Sequence, residues 1–172
     1  REFDRLAIAV FSLNSYALMC QAAADAYGLL KQRWPDCRQI VVCCGPGNNA
    51  GDGYVLARLA HVAGYDVNVV VVTPIARLRG AAKQAYEDAV TAGVRLVSDN
   101  LWPDGDVWID ALLGSGVTQP VRGPCQQAIL RINQAAEQGR GVLAMDMPSG
   151  LNADTGMALG TAVRAQVTVT FI

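Results

Sequence analysis

The segment that decides the fold is residues 39–53, with the sequence QIVVCCGPGNNAGDG. Five of its first six residues are apolar and three of them are β-branched, which predicts a buried strand over Gln39–Cys44. A glycine-rich loop follows, and we expect a helix to run from about Asp52 to Ala63. A buried strand that leads through a glycine-rich loop into a helix is typical of α/β domains with a parallel sheet.

The same alternation of strand and helix continues along the chain. Residues 69–72 are four consecutive valines, an unbroken apolar run that fits a strand covered on both faces. Near the amino terminus, residues 6–30 resemble a signal peptide in composition, but their apolar residues recur at helical spacing and predict an amphipathic helix. The pattern therefore predicts a parallel sheet with helices on both faces, from strands 66–72, 95–97, 107–109, 141–145 and 167–172 and helices 78–92 and 124–137.

Length and composition limit the classes of protein that need to be considered. The 172 residues suit one domain, and 52% hydrophobic residues with a mean hydropathy of +0.22 exclude a disordered chain. Fourteen basic and 15 acidic residues give a net charge of −1, which argues against a nucleic-acid partner. Five cysteines without C-x-x-C spacing, together with one histidine, argue against a zinc site and favour reduced thiols in the cytoplasm. We expect no membrane partner. Because the chain stops inside an apolar strand, we also expect it to be a fragment of a longer one.

The glycine-rich loop is the first candidate site. Its glycines allow backbone N–H groups to approach an anion, and the start of a helix favours negative charge. The alternative interpretation is a tight turn in which Asn48, Asn49 and Asp52 only cap the helix. Two adjacent amides and an acid exceed what a turn needs, so we favour a binding loop.

The same loop also satisfies the dinucleotide pattern G-x-G-x-x-[GA] at Gly45, Gly47 and Ala50. A dinucleotide dehydrogenase would also place an acid at the end of its second strand to hold the ribose hydroxyls. Here that strand leads into Thr73 and a proline, and Asp66 lies at its opposite end. The pattern therefore gives little support to hydride transfer.

Two carboxylates follow predicted strands at the same edge of the sheet, Asp110 and Asp146. Each of them could simply accept hydrogen bonds from the backbone of its own turn. With Asn49 and Ser149, however, Asp110 would form a set of oxygen ligands, which hard cations prefer. Because this set of ligands contains few carboxylates, it favours a monovalent ion.

Four ordered motifs give the chain a resemblance to a known family: GNNAGDG at 47–53, DALLGSG at 110–116, DMPSGL at 146–151 and ADTG at 153–156. Together they resemble the N-terminal domain of the YjeF family, the NAD(P)H-hydrate epimerases. The resemblance implies a three-layer α/β/α Rossmann-like sandwich with a mostly parallel central sheet over residues 1–172. It also implies an isomerase of nicotinamide nucleotide repair, which interconverts the R and S forms of hydrated NADH and NADPH (NADHX and NADPHX).

The resemblance further implies K⁺ held by Asn49, Asp110 and Ser149. We expect Asp110 to be the key catalytic or electrostatic residue, because it is predicted to lie deepest and next to the cation. It implies a homodimer and a fused or separate ADP- or ATP-dependent NAD(P)HX dehydratase as partner. Ala50 replaces a family glycine and Cys125 a frequent tyrosine. A noncatalytic nucleotide-binding or scaffold module of the same fold is the alternative. The implied substrate-binding residues are Asn48, Asn49, Ala50, Gly51, Asp52, Gly114, Ser115, Gly116, Val117, Thr118, Gln119, Pro120 and Asp146.

Overall fold

A computed structural model describes residues 15–171 and confirms the alternation of strands and helices. The part of the predicted N-terminal helix before residue 15 lies outside the described residues, and so does Ile172. The elements in chain order are α1 (Ser15–Arg33), β1 (Gln39–Cys44), α2 (Asn48–Val62), β2 (Asp66–Val71), a 3-10 turn (Ile75–Arg77), α3 (Gly80–Thr91), β3 (Arg95–Ser98), β4 (Val107–Ala111), α4 (Gly123–Glu137), β5 (Gly141–Met145) and β6 (Val167–Val169).

The six strands form one parallel sheet in the order β3-β2-β1-β4-β5-β6. The central strand β1 pairs with β2 on one side and β4 on the other, so that Ile40 lies opposite both Val67 and Val107. Along the chain, β2 and β3 are added on one side of β1, and β4, β5 and β6 are then added on the other side. This reversal places a topological switch point between β1 and β4, where open α/β sheets bind ligands outside the carboxyl ends of the strands.

The core has two layers, one on each face of the sheet. Ile40, Val42 and Cys44 of β1 pack in the layer that includes α1, α2 and α3, whereas Val41 and Cys43 pack in the layer with α4. This alternation follows from the two-residue repeat of a strand, and every residue of β1 after the first is buried. The predicted three-layer α/β/α sandwich is therefore confirmed, and the thiols of Cys43 and Cys44 lie on opposite faces.

Helix α2 begins at Asn48, four residues before the predicted start at Asp52. Glycine and asparagine are poor helix formers, so the sequence of this turn resembles a loop. Packing requires small residues there, because a Cβ added at Gly53 would lie 2.5 Å from the Cβ of Ala111. The N-cap is Gly47, which has no side chain for capping, so the capping role considered for Asn48 and Asn49 is not what the structure shows.

Smaller differences lie at the periphery of the fold. Strand β6 covers only Val167–Val169, so the predicted strand was too long within the described residues. The 3-10 turn and an isolated antiparallel bridge between Leu151 and Ala158 were not predicted. Within residues 15–171, no helix has both the length and the apolar character needed to cross a bilayer.

Candidate functional site

Backbone hydrogen bonds hold the carboxyl ends of neighbouring strands together beyond the sheet. The N–H of Gly45 donates to the carbonyl of Ala111 over 3.1 Å, and the N–H of Val72 donates to Cys44 over 3.1 Å. A Cβ added at Gly45 would lie only 1.9 Å from the carbonyl oxygen of Leu112, so this position accepts no side chain. The loops after β1, β2 and β4 consequently leave the sheet side by side.

Asp110 is completely buried at the next-to-last position of β4. Its Oδ1 accepts hydrogen bonds from the N–H of Leu112 at 3.2 Å and from the hydroxyl of Ser149 at 2.6 Å. Its Oδ2 accepts one from the N–H of Ser149 at 2.7 Å. The alternative in which Asp110 only caps its own turn explains the Leu112 bond alone, because the other two donors come from the loop after β5.

Burial raises the pKa of Asp110 from its usual value of 3.8 to about 6, while the bonds from Ser149 and Leu112 oppose that rise. Burial disfavours a charged carboxylate, whereas donors that point at it favour the charge. Asp110 is therefore a carboxylate that remains mostly ionised at neutral pH and titrates in the weakly acidic range.

Ser149 is as deeply buried as its partner, with 1% of its surface exposed. Its oxygen also accepts a hydrogen bond from the N–H of Leu113 at 2.9 Å and lies 3.1 Å from the Leu113 carbonyl oxygen. The sequence did not point to Leu113, because it takes part through backbone groups that every residue carries.

Asn49, the second residue of α2, has a buried side chain that is only 6% exposed. Neither its Oδ1 nor its Nδ2 has a hydrogen-bond partner among residues 15–171. Buried polar atoms are nearly always paired, so an amide with two unpaired atoms indicates a place for a bound ion or ligand. A Cβ added at Gly114 would lie 3.7 Å from the Cβ of Asn49 and 2.8 Å from Oδ2 of Asp146, so Asn49 and Asp146 flank the backbone at Gly114.

Asp146 is the only non-glycine residue with a positive φ in the described part of the chain, at 64°. Its Oδ2 accepts a hydrogen bond from the N–H of Ser115 at 3.0 Å, and its carbonyl accepts one from the Thr170 hydroxyl at 3.0 Å. A left-handed backbone is unfavourable for most side chains and is found most often where geometry serves a site. Here it accompanies a carboxylate that binds the loop after β4.

The remaining predicted site residues differ from one another in how exposed they are. Ala50 is fully buried in the core layer that includes α1, α2 and α3. A Cβ added at Gly51 would lie 2.5 Å from Sδ of Met19, so Gly51 packs against α1. Asn48 is exposed and Asp52 is half-buried on the same helix. Val117 packs against the core layer of α4. The predicted residues of the loop after β4 that are exposed are Ser115, Gly116, Thr118, Gln119 and Pro120.

The donor atoms at this edge suit a hard cation of low charge. Asn49 and Ser149 offer neutral oxygens, and Asp110 offers a single carboxylate. Hard cations prefer oxygen ligands. The Oδ1 of Asn49, which has no partner among residues 15–171, is the atom that such an ion would satisfy, so the donor set fits K⁺.

A doubly wound parallel sheet with polar residues gathered at its switch point defines the Rossmann-like class of α/β domains. The crystal structure of the yeast protein ynu0 (YNL200c) shares this fold, with a TM-score of 0.84 and 22% identity over 97% of this chain and 75% of that one. The chain belongs to the family described as the YjeF-related protein N-terminus, whose family model matches residues 15–172. The resemblance seen in the four motifs is thus confirmed.

Relatives with curated names fall into two groups. A bifunctional NAD(P)H-hydrate repair enzyme Nnr from Coxiella burnetii is 45% identical over the whole chain, and that from Escherichia coli is 38% identical. The chain spans only 35% and 33% of their lengths. An NAD(P)H-hydrate epimerase from Pirellula staleyi is 37% identical, and the chain covers 78% of it. The chain thus corresponds to about a third of the bifunctional relatives and to most of the epimerase.

Proposed function

We propose that this domain is an NAD(P)H-hydrate epimerase, which interconverts the R and S forms of hydrated NADH or NADPH. The relatives of which the chain covers 78% and 81% carry that name. The structural observation that carries the proposal is the buried Asp110 carboxylate, which Ser149 binds through its hydroxyl and its backbone N–H, at the sheet edge where the buried amide of Asn49 has no partner among residues 15–171. A polar cluster of this kind at the switch point is suited to a charged reaction intermediate.

The chemistry needs no redox step. The substrate carries a hydroxyl on the carbon next to the ring nitrogen, and the nitrogen lone pair can expel it. The C–O bond breaks, the hydroxyl takes up a proton and leaves as water, and the ring becomes an iminium cation. Water then adds to the opposite face of the same carbon and releases a proton. The protein must therefore stabilise a positive charge and exchange one proton.

Asp110 is suited to the first of these tasks. Its pKa of about 6 leaves the carboxylate mostly charged at neutral pH, and its burial strengthens attraction to a nearby cation. Asp146 contacts the substrate in this proposal. Only its Oδ2 is used by the Ser115 N–H, and no hydrogen bond within the described residues involves its Oδ1. Asp146 Oδ1 therefore remains available for a substrate hydroxyl.

The proposal includes K⁺ bound by Asn49, Asp110 and Ser149. When bound, the ion would supply a fixed positive charge that favours the diphosphate of the substrate and keeps Asp110 ionised. The backbone at Asn48, Asn49, Ala50, Gly51 and Asp52, the loop from Gly114 to Pro120, and Asp146 would then bind the substrate. The start of α2 favours a bound anion through its unpaired N–H groups.

The biological setting is part of the same proposal. The domain would act in the cytoplasm as a homodimer, together with an ADP- or ATP-dependent dehydratase that removes the S form. The bifunctional name of two relatives supports this coupling, because each of those chains is about three times as long as this one. Light scattering after size-exclusion chromatography measures the mass in solution, and a monomeric mass would contradict the homodimer.

The test is conversion of R-NADHX to the S form, followed by chromatography against the rate without protein. We expect the wild type to accelerate the conversion, Asp110→Asn to abolish the acceleration, and Asp36→Asn to retain it. Asp36 is an exposed acid near the opposite edge of the sheet and is therefore a matched control. Substrate binding without any acceleration would contradict the epimerase and support a noncatalytic module.

A further inference from the structure

A second cleft lies at the same edge of the sheet, outside the residues assigned so far. Its volume is about 520 Å³, and it lies between the ends of β2 and β3 and the first turn of α4. Seven of its ten lining residues are apolar, including Ile75, Val97 and Pro124. Small-molecule sites are typically mostly apolar clefts of this size with a few polar groups.

The cleft and the candidate site lie along the same carboxyl edge of the sheet. Val72 lines it and donates its N–H to Cys44, the residue from which the glycine-rich turn begins. Pro124 lines it from α4, in the loop-to-helix region that follows Asp110 along the chain. With neighbouring strands about 4.8 Å apart, the gap between β2 and β3 lies about 12 Å along the edge from β4. One extended dinucleotide can therefore reach both places.

We propose that this cleft binds the adenosine end of the dinucleotide and selects a ribose without a 2′-phosphate, an inference that rests on the proposed epimerase function. The hydrated nicotinamide ring forms a cation and belongs at Asp110, where the polar groups are concentrated. The other end of the same substrate is a flat aromatic base. Its apolar faces suit the walls that Ile75 and Val97 provide.

The polar groups of the cleft suit the ribose and the edge of the base. Thr73 lines the cleft and is 9% exposed, and its hydroxyl oxygen has no hydrogen-bond partner among residues 15–171. A buried hydroxyl is nearly always paired. A hydrogen bond to a bound adenosine would satisfy the hydroxyl of Thr73.

Asp99 gives the cleft its selectivity. It follows β3 directly, is half-buried, and makes no hydrogen bond or ion pair within the described chain. A carboxylate accepts hydrogen bonds from both ribose hydroxyls, the role that an acid at a strand end has in dinucleotide-binding sheets. A dinucleotide dehydrogenase has this acid at the end of its second strand, and here Asp99 at the end of the third strand takes its place.

Among residues 15–171, Asp99 is also the only charged residue that lines the cleft. Arg77 lies two residues beyond Ile75 but is exposed and does not line it. A 2′-phosphate on the ribose would place its negative charge against the Asp99 carboxylate with no cation in the lining. The cleft therefore favours NADHX over NADPHX.

The first experiment measures binding of adenosine and of adenosine 2′-monophosphate to the full chain by NMR titration, which requires no catalysis. We expect adenosine to shift resonances of Thr73 and Val97 and to bind at least about tenfold more tightly than the 2′-phosphate. Asp99→Asn should weaken adenosine binding about tenfold and reduce the ratio of the two affinities, for adenosine and for its 2′-monophosphate. Ser98→Trp places a large ring at the exposed rim and should prevent binding, whereas Asp36→Asn should leave it unchanged.

The second experiment measures the kinetics of the same variants. We expect Asp99→Asn to raise KM for NADHX about tenfold with kcat unchanged, and to leave turnover of hydrated reduced nicotinamide mononucleotide, which lacks adenosine, unaffected. An unchanged KM for NADHX in both Asp99→Asn and Ser98→Trp would overturn the proposal. Adenosine binding that is insensitive to Ser98→Trp would also overturn it. Asp99-dependent adenosine binding in a chain without epimerase activity would instead contradict the proposed function and support the cleft.

Discussion

Ser149 binds both oxygens of the Asp110 carboxylate, with its hydroxyl at 2.6 Å from Oδ1 and its backbone N–H at 2.7 Å from Oδ2. The two residues are 39 positions apart and both are buried. This contact joins the end of β4 to the loop after β5. It makes the position of that loop depend on the charged state of a single carboxylate, so stability and site geometry are coupled there.

Replacing Ser149 by alanine removes the hydroxyl that donates to Asp110 and accepts from the Leu113 N–H. The backbone bond to Asp110 remains. A lost hydrogen bond to a buried charge lowers the free energy of unfolding by about 2 kcal/mol. Urea denaturation at neutral pH measures this change. The matched control is Thr118→Ala, an exposed hydroxyl with no hydrogen bond among the described residues, and an equal effect of the two variants would contradict the role of Ser149.

The raised pKa of Asp110 makes stability depend on pH. Its pKa is about 6 in the folded chain and 3.8 ordinarily, so the folded state binds the proton more tightly than the unfolded state does. The resulting stabilisation is complete below about pH 3.8 and is lost as the pH rises through 6. Wild type should therefore lose about 2 kcal/mol relative to Asp110→Asn between pH 4 and pH 7. Denaturation in potassium-free buffer measures the difference, and parallel curves for the two proteins would contradict it.

Asn49→Leu tests the unpartnered amide of Asn49. Because neither amide atom has a partner, an apolar side chain of similar size should leave the potassium-free protein unchanged or about 1 kcal/mol more stable. The stabilisation of the wild type by K⁺ should disappear, and it would be about 2.7 kcal/mol at 100 times the dissociation constant.

Thermal unfolding in KCl and in tetramethylammonium chloride compares the two salts for the wild type and Asn49→Leu. The control is Asn68→Leu, which removes a buried amide that does bond, to Arg95. It should retain the response to K⁺. A K⁺ response that survives in Asn49→Leu would remove this residue from the ion site.

Gly114→Ala should impair activity more than stability. The added methyl would lie 2.8 Å from Oδ2 of Asp146, so the carboxylate must move away from the Ser115 N–H. We expect kcat/KM to fall at least about tenfold, since displacement of a substrate-contacting group by an ångström has effects of that order. Gly28→Ala in α1 is the control, because open space surrounds that position and alanine is the better helix former there. A fall in kcat/KM of the same size in both variants would contradict the argument.

Sequence patterning predicted most of the fold because buried parallel strands have few alternatives. The runs at 40–44 and 142–145 are apolar throughout, and the structure gives the two strands the predicted bounds of 39–44 and 141–145. The predicted start of α2 was wrong, because the local preferences of Asn48 and Asn49 favour a loop. In the structure, close packing on the sheet requires small residues there, and they form a helical turn. Intrinsic propensity is a weak term that tertiary packing overrides.

The sequence by itself determined the order of strands and helices, the family, and the polar residues that follow β1, β4 and β5. These properties are local, because the hydrophobic pattern of a segment predicts where a strand ends and therefore which side chains follow it. Only the tertiary structure decided that Ser149 binds both oxygens of Asp110, that Asn49 is buried without a partner, and that Asp99 lines a cleft beyond β2. Each of these depends on which strands are neighbours and on distances between loops remote in sequence, and burial acts on the charge and hydrogen bonding of a group only after the chain has packed.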